Sequence, residues 1–318
     1  MHLYEEELAA VSPDRETLLT VGVFDGVHIG HKYLISHARQ IAGSKHLASG
    51  VITFKKHPLE VLAPETVLPY LTNCEEKVEL LKAEKVDYVI PLTFSREMAD
   101  LSAREFVTLL IKYLKMRALV VGMDFSLGKN REGDIPTLRK LGDELGFTAD
   151  MVEPLDFHGE VVSSTRIRKF LKEGNLRKVS EYLGRTFSLN GIVTGGDRRG
   201  RTIGFPTANI ETDSVQSLLP DGVYATWTDI DGKQYPSVTN IGKRPTFRKK
   251  ERTVETYVIG FQGDLYDKEL KLEIVDLLRR EKKFENAEEL KKQIAEDIEN
   301  SKAVLGLPLN SSGSTCSC

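Results

Sequence analysis

Strand-like and helix-like segments alternate through the first 185 or so residues, and that alternation narrows the fold more than any other feature. TLLTVGVF (17–24), HLASGVITF (46–54), VDYVIPL (86–92) and ALVVG (118–122) read as buried strands. Between or after them KYLISHARQIAG, EEKVELLKAEK, SAREFVTLLIKYL and TLRKLGDELG repeat their apolar residues at helical spacing. This order predicts a parallel sheet with helices on its faces, and ligands then sit beyond the carboxyl ends of the strands. TRIRKFLKEGNLRKVSEYLG (165–184) reads as two short helices around Gly174-Asn175. The texture then changes. FSLNGIVTG, GVYATWTDI, KQYPSVTNIG, TVETYVIGF and ELKLEIVDLL are short strands separated by turn signals such as Asp221-Gly222 and Asp231-Gly232. They predict a compact antiparallel barrel or sandwich, followed by a closing helix with a Leu290, Ile294, Ile298 seam. The expected division is 1–184 and 185–306, with a polar tail, 307–318, expected to be disordered.

With 318 residues, each half is long enough to bury its own core. The net charge of −3 comes from 44 basic and 47 acidic residues, which speaks against a nucleic-acid-binding surface. Glu5, Glu6 and Glu7 are opposite to the basic start of a signal peptide, and no apolar run reaches membrane-spanning length. Cys74, Cys316 and Cys318 form neither a disulfide framework nor a four-ligand zinc set, so a cytoplasmic location is expected.

GVFDGVHIGHKYL (22–34) carries Asp25, Gly26, His28, Gly30 and His31 at the turn from a strand into a helix. Backbone N–H groups at a helix start lack partners and the dipole there is positive, so the turn suits phosphate. Imidazoles add donors. A metal pair would need a third ligand, and none is obvious nearby; a plain helix start stays open, and neither a Rossmann nor a Walker pattern is present in this turn. GMDFSLGKNREGD (122–134) is a second loop at a strand end, equally readable as a solvated surface loop. VVSSTRIR (161–168) brings hydroxyls and two arginines to a helix start, as caps or as an anion site. GGDRRGRT (195–202) nearly matches a Walker loop, but GFPTANI follows it instead of a helix. Its run into Thr207 and Asn209 offers hard oxygen ligands for Mg²⁺ beside phosphates; a β-turn with surface arginines is the alternative. Glu255, in RTVETYVIGF, is a candidate base, although Val254, Tyr257 and Ile259 do not share one strand face.

In order, GVFDGVHIGHK, TFKKHP, GMDFSLG, VSSTRIR, GDRRGRTIGFPTANI, NIGKRPTF, and VETYV followed by GDLY and LRREKKF resemble the prokaryotic bifunctional riboflavin kinase/FMN adenylyltransferases, or FAD synthetases. The likeness runs from about Leu19 to Leu307. It implies an α/β nucleotidyltransferase of the HxGH class, a parallel sheet with flanking helices, and a C-terminal antiparallel β-barrel riboflavin kinase domain with a closing helix. In the first, His28 and His31 would hold ATP phosphates with Ser164, Thr165 and Arg168; Gly22, Phe24, Asp25, Gly30 and Asp124 would line the nucleotide and flavin cleft. In the second, Thr207 and Asn209 would meet Mg²⁺ and ATP phosphates, Gly195, Gly200, Arg201, Gly204 and Pro206 would shape the phosphate loop, and Glu255 would be the base. Riboflavin, FMN, FAD and ATP are the implied partners. Three positions depart from the family pattern: Lys56 in TFxPHP, Ser126 and Leu127 in DFRFG, and Asp267 in DLYG.

The residue types divide as the two chemistries require. FMN's phosphate is already an anion and needs donors around the α-phosphoryl, whereas riboflavin's 5′-hydroxyl needs a base. Two further readings remain at this level. One is another HxGH nucleotidyltransferase, acting on a pantetheine phosphate or sugar phosphate, against which the PTAN half argues. The other is a flavin-binding regulator, against which the intact His28, His31, Thr207, Asn209 and Glu255 argue.

Overall fold

The structure, a computed structural model, describes residues 2–66, 68–195, 204–213, 216–243 and 252–308. It divides into two compact units, 1–164 and 165–318. The first unit runs α1 (Leu3–Val11), β1 (Thr17–Val21), α2 (Ile29–Ser44), β2 (Ala48–Phe54), α3 (Pro58–Leu62), α4 (Cys74–Ala83), β3 (Tyr88–Leu92), α5 (Arg96–Ala99), α6 (Ala103–Leu114), β4 (Met116–Gly122), α7 (Ile135–Leu145), β5 (Thr148–Val152) and a short hairpin, β6 (Asp156–Phe157) and β7 (Glu160–Val161).

Five strands form the expected parallel sheet in the order β3-β2-β1-β4-β5. β1 is buried along its whole length, which is why its sequence is apolar without alternation. One core packs on Leu19, Val21, Leu119 and Val121, and the opposite face packs on Leu18, Ala118 and Val120. The chain winds one way from β1 through β3 and the other way from β4, so a crevice is expected at the carboxyl ends of β1 and β4. The GVFDG turn and the GMDFSLG loop leave the sheet there.

The second unit contains α8 (Ser164–Glu173, its first residue assigned to the first unit), α9 (Leu176–Leu183), β8 (Phe187–Thr194), β9 (Ala208–Thr212), β10 (Gly222–Ile230), β11 (Lys233–Lys243), β12 (Arg252–Val258), β13 (Glu269–Arg280) and a closing helix, Ala287–Val304. The six strands close into an antiparallel barrel in the order β10-β11-β12-β9-β8-β13, which removes the open edges of a sandwich. α8 and α9 cluster with this unit, so the structural division precedes the expected one at residue 184 by the length of that helix pair. From residue 309 the expected tail lies outside the described residues.

The barrel interior explains the broken pattern around Glu255. Thr226, Thr228, Ser237, Thr239 and Thr256 all point inward and are fully buried. Their hydroxyls form one chain: Thr228 with Ser237 at 2.7 Å, Ser237 with Thr226 at 2.7 Å, Thr226 with Thr239 at 2.8 Å and Thr239 with Thr256 at 3.0 Å. Each buried hydroxyl thus has a partner, as a low-dielectric core requires. The inward row of β12 is Val254, Thr256 and Val258, and Glu255 lies on the outer face.

The closing helix is fastened by charge as well as by its apolar seam. Asp297 is buried and accepts Arg279 Nε–H at 2.9 Å and Nη2–H at 2.9 Å, while Gln293 donates to it at 3.0 Å. Breaking a buried pair leaves an uncompensated charge and costs about 3–5 kcal/mol. Asp297→Ala should lower unfolding stability by that amount, read as a shift of the urea midpoint with the denaturant slope unchanged.

Candidate active sites

In the first unit, the β1 turn is held in a costly backbone shape. Phe24 (φ 51°), Gly26 (φ 81°) and Val27 (φ 37°) all lie on the left-handed side. For a β-branched residue such as Val27 that is an outlier, and such strain concentrates at functional sites. Surrounding packing enforces it: Phe24 and Val27 are buried, and the Val27 N–H donates to the Phe24 carbonyl at 3.1 Å. Asp25 is a brace. Its buried carboxylate accepts the N–H groups of Leu71 at 2.9 Å and Thr72 at 3.3 Å, and the Thr72 hydroxyl accepts the Gly26 N–H at 3.1 Å. Ser164 is brought to the same turn, its hydroxyl donating to the Asp25 carbonyl at 2.9 Å.

His28 is the N-cap of α2: its Nδ1 accepts the His31 backbone N–H at 3.2 Å. In the neutral ring that contact assigns the proton to Nε2, which leaves Nε2–H as a donor. The two imidazoles stack with centroids 3.5 Å apart, and the Phe24 ring meets His31 edge-on. Gly30 permits this closeness, since a Cβ there would lie 3.2 Å from His28 Nδ1. Gly22 does the same for Phe24, whose ring would stand 3.0 Å from a Cβ. Burial of the ring, then His28 and then Lys77, hold His31 well below the ordinary histidine range. Its charged form is thereby disfavoured, and its Nδ1 is enclosed without a hydrogen-bond partner among the described residues.

Asp124 is exposed just beyond β4, with its carbonyl accepting Arg131 Nη2–H at 3.3 Å. The loop is closed by Leu127 and Gly133, whose backbones exchange hydrogen bonds of 3.2 and 2.9 Å. Leu127 enters the main core, so this departure keeps an apolar plug. Lys56 is exposed, whereas Lys55 pairs with Glu7 at 2.8 Å. Thr165 and Arg168 lie on α8 in the second unit, Thr165 exposed and Arg168 half-buried.

In the barrel, strand register brings Glu255 directly opposite Asn209 on β9 and opposite Asn240 on β11. Opposed residues share a face within side-chain reach. A carboxylate between two amides thus stands on the outer barrel face, one strand position from Thr207's neighbour Ala208. Pro206 and Thr207 line a cavity of about 410 Å³ with Tyr257, Phe261, Asp264 and Tyr266, a mixed polar and aromatic wall suited to a flat ring. Gly195 and Gly204 are described and exposed, Gly204 at φ 86°; Gly200 and Arg201 lie outside the described residues. Asp267 stands at φ 61°, a conformation that favours glycine and that Asp tolerates better than most residues. That departure keeps the backbone of DLYG.

Two residues that sequence reasoning left aside belong to this geometry. Asn240 lies in the quoted NIG segment, and its place beside Glu255 follows only from register. Lys77, on α4, is 6% exposed, and its ammonium donates to the Phe54 carbonyl at 2.6 Å.

Comparison with known proteins agrees with both halves. The FAD synthetase family matches residues 11–166, and the riboflavin kinase family matches residues 183–305. The bifunctional riboflavin kinase/FMN adenylyltransferase of Escherichia coli K12 is 37% identical over 298 residues, covering 93% of this chain and 95% of its own. The protein of the same name from Bacillus subtilis is 35% identical over 302 residues, covering 93% of each chain. A solved structure from Streptococcus pneumoniae, titled a macrolide-efflux protein, has a TM-score of 0.83 at 29% identity and covers 95% of this chain and 97% of its own. Among the described residues no helix is long and apolar enough to cross a membrane, and this likeness contributes the fold. The chain belongs to the bifunctional riboflavin kinase/FMN adenylyltransferase family.

Proposed function

We propose that the chain phosphorylates riboflavin to FMN with ATP and then adenylylates FMN to FAD with release of pyrophosphate. Residues up to 184 serve as the adenylyltransferase half and 185–306 as the kinase half. The observation that carries this reading is the contrast between the two carboxylates: Asp25 is engaged by backbone N–H groups, while Glu255 stands between two amides beside the PTAN segment.

In adenylyl transfer an FMN phosphate oxygen attacks the α-phosphorus and the bond to pyrophosphate breaks. No proton need leave the nucleophile. His28 Nε2–H meets the developing negative charge, with His31, Ser164, Thr165 and Arg168 completing the phosphate contacts and Gly22, Phe24, Asp25, Gly30 and Asp124 lining the cleft. Asp25 contributes by fixing the turn. In phosphorylation the 5′-hydroxyl oxygen of riboflavin attacks the γ-phosphorus, its proton passes to a Glu255 carboxylate oxygen, and ADP leaves. Thr207 and Asn209 would hold Mg²⁺, since a hydroxyl and an amide oxygen leave places for phosphate oxygens and water. The ion neutralises phosphate charge when bound. Gly195, Gly200, Arg201, Gly204 and Pro206 would shape the loop around those phosphates. A cytoplasmic setting supplies the ATP that both steps consume.

Incubating the purified chain with riboflavin, ATP and Mg²⁺ and separating the products tests the reading. FMN followed by FAD is expected. Formation of neither flavin nucleotide favours a regulator, and an adenylyl product only with another phosphate ester favours a different transferase.

A further inference from the structure

An ammonium is expensive to bury, and a cation in the first turn of a helix faces the positive end of the dipole. Lys77 does both. It follows the α4 N-cap Asn73 by one turn, its N–H bonded to the Asn73 carbonyl at 3.1 Å, and it is almost fully enclosed. Among the described residues its Nζ makes one hydrogen bond, to the carbonyl that ends β2 at Phe54, although an ammonium has three donors. That strand end is joined to the histidine turn by the Gly22 N–H donating to the Ile52 carbonyl at 3.0 Å and the Thr53 hydroxyl donating to the Val23 carbonyl at 2.9 Å. From the other side, Asp25 and Gly26 hold Leu71 and Thr72, which lead directly into α4. The hydrogen bonds close a ring: turn, residues 71–72, α4, Lys77, the end of β2, and back to the turn.

We propose that Lys77 is a positioning residue for adenylyl transfer: it locks this ring and keeps a fixed positive charge near the histidine pair. The proposal rests on the functional reading above. Charge at this position matters because burial disfavours the charged form of His31. Lys77 is close enough to act electrostatically on both Asp25 and His31. Burial pushes its own pKa below the usual lysine range, and Cys74, Asp25 and Glu60 draw it partly back. In a low-dielectric site a fixed cation favours the transition state, where the phosphoryl oxygens carry more charge than in the ground state.

The test uses the full-length chain with Lys77→Met and Lys77→Arg. Lys77→Met keeps the volume and removes the charge; because it also takes the Lys77 donor from the Phe54 carbonyl, the melting temperature is measured beside activity. Turnover of FMN to FAD should fall by about tenfold or more, with riboflavin phosphorylation in the other unit as the internal control, and Lys77→Arg should recover most of it. A second readout is the His31 ring titration followed by NMR. Burial, His28 and Lys77 all depress it, so its midpoint should rise in Lys77→Met and stay near the parent value in Lys77→Arg. FAD synthesis within twofold of the parent, or equal loss of both activities together with the melting temperature, would overturn the proposal. A parent chain that makes FMN and no FAD overturns the functional reading instead and takes this proposal with it.

Discussion

Glu255→Gln should lower the turnover of riboflavin phosphorylation by about 10²–10⁴-fold, the range that a general base contributes. The substitution keeps the shape and the hydrogen-bonding positions of a side chain that faces Asn209 and Asn240 across the strands. What it removes is basicity, which matters when the 5′-hydroxyl proton leaves. Binding of ATP and riboflavin should change little, because the lost interaction strengthens mainly in the transition state. FAD synthesis from supplied FMN should be unaffected, since that nucleophile is already ionised. Both half-reactions are measured on one preparation. Kinase turnover within a few-fold of the parent would remove Glu255 from the mechanism and leave it as a brace on the outer barrel face.

The second large effect lies in the other unit. His28→Ala should reduce FAD formation by about 10²–10³-fold, the scale for losing one preorganised donor, while riboflavin phosphorylation persists. It also removes the cap of α2 and should cost about 1 kcal/mol of stability. His28→Asn separates the two roles: asparagine is a good N-cap and restores stability, but its shorter side chain does not reach where the imidazole Nε2–H reaches. Recovery of activity with the cap would show that His28 acts only on the helix start. His31→Ala should also abolish FAD formation and spare phosphorylation, and equal loss of both activities in a folded variant would sink the assignment of separate sites.

Much of this was legible in residues whose role is local. The β1 strand, the turn into α2 and the His28 cap are set by neighbours within a few positions, and the sequence there reads as it folds. The elements that escaped are those whose support is distant. α1 buries little beyond Tyr4 and Leu8, and Glu7 on it is fixed by the Thr93 N–H and hydroxyl, both at 2.7 Å, from the far end of β3. β9 has five residues after a proline and exists because β8 and β12 flank it. The barrel interior defeats a hydrophobic pattern, since Thr226, Ser237, Thr239 and Thr256 satisfy one another inside it. Asp25, expected to line the cleft, also holds through its carboxylate a loop 46 residues away in sequence, a link that no local pattern shows. The burial of Lys77 on α4 goes with its bond to the end of β2, which no local pattern shows. Binary patterning registers polarity; it does not register a distant polar partner.

The central claim is that two independent sites in one chain act in sequence on a shared flavin. Mixing the His28→Ala and Glu255→Gln proteins with riboflavin, ATP and Mg²⁺ tests it most directly. Alone, the first should stop at FMN and the second should convert supplied FMN to FAD but form little FMN itself. Together they should make FAD from riboflavin, because FMN released by one is a substrate for the other. A mixture that forms no FAD, while each variant retains its own half-reaction, would contradict the account.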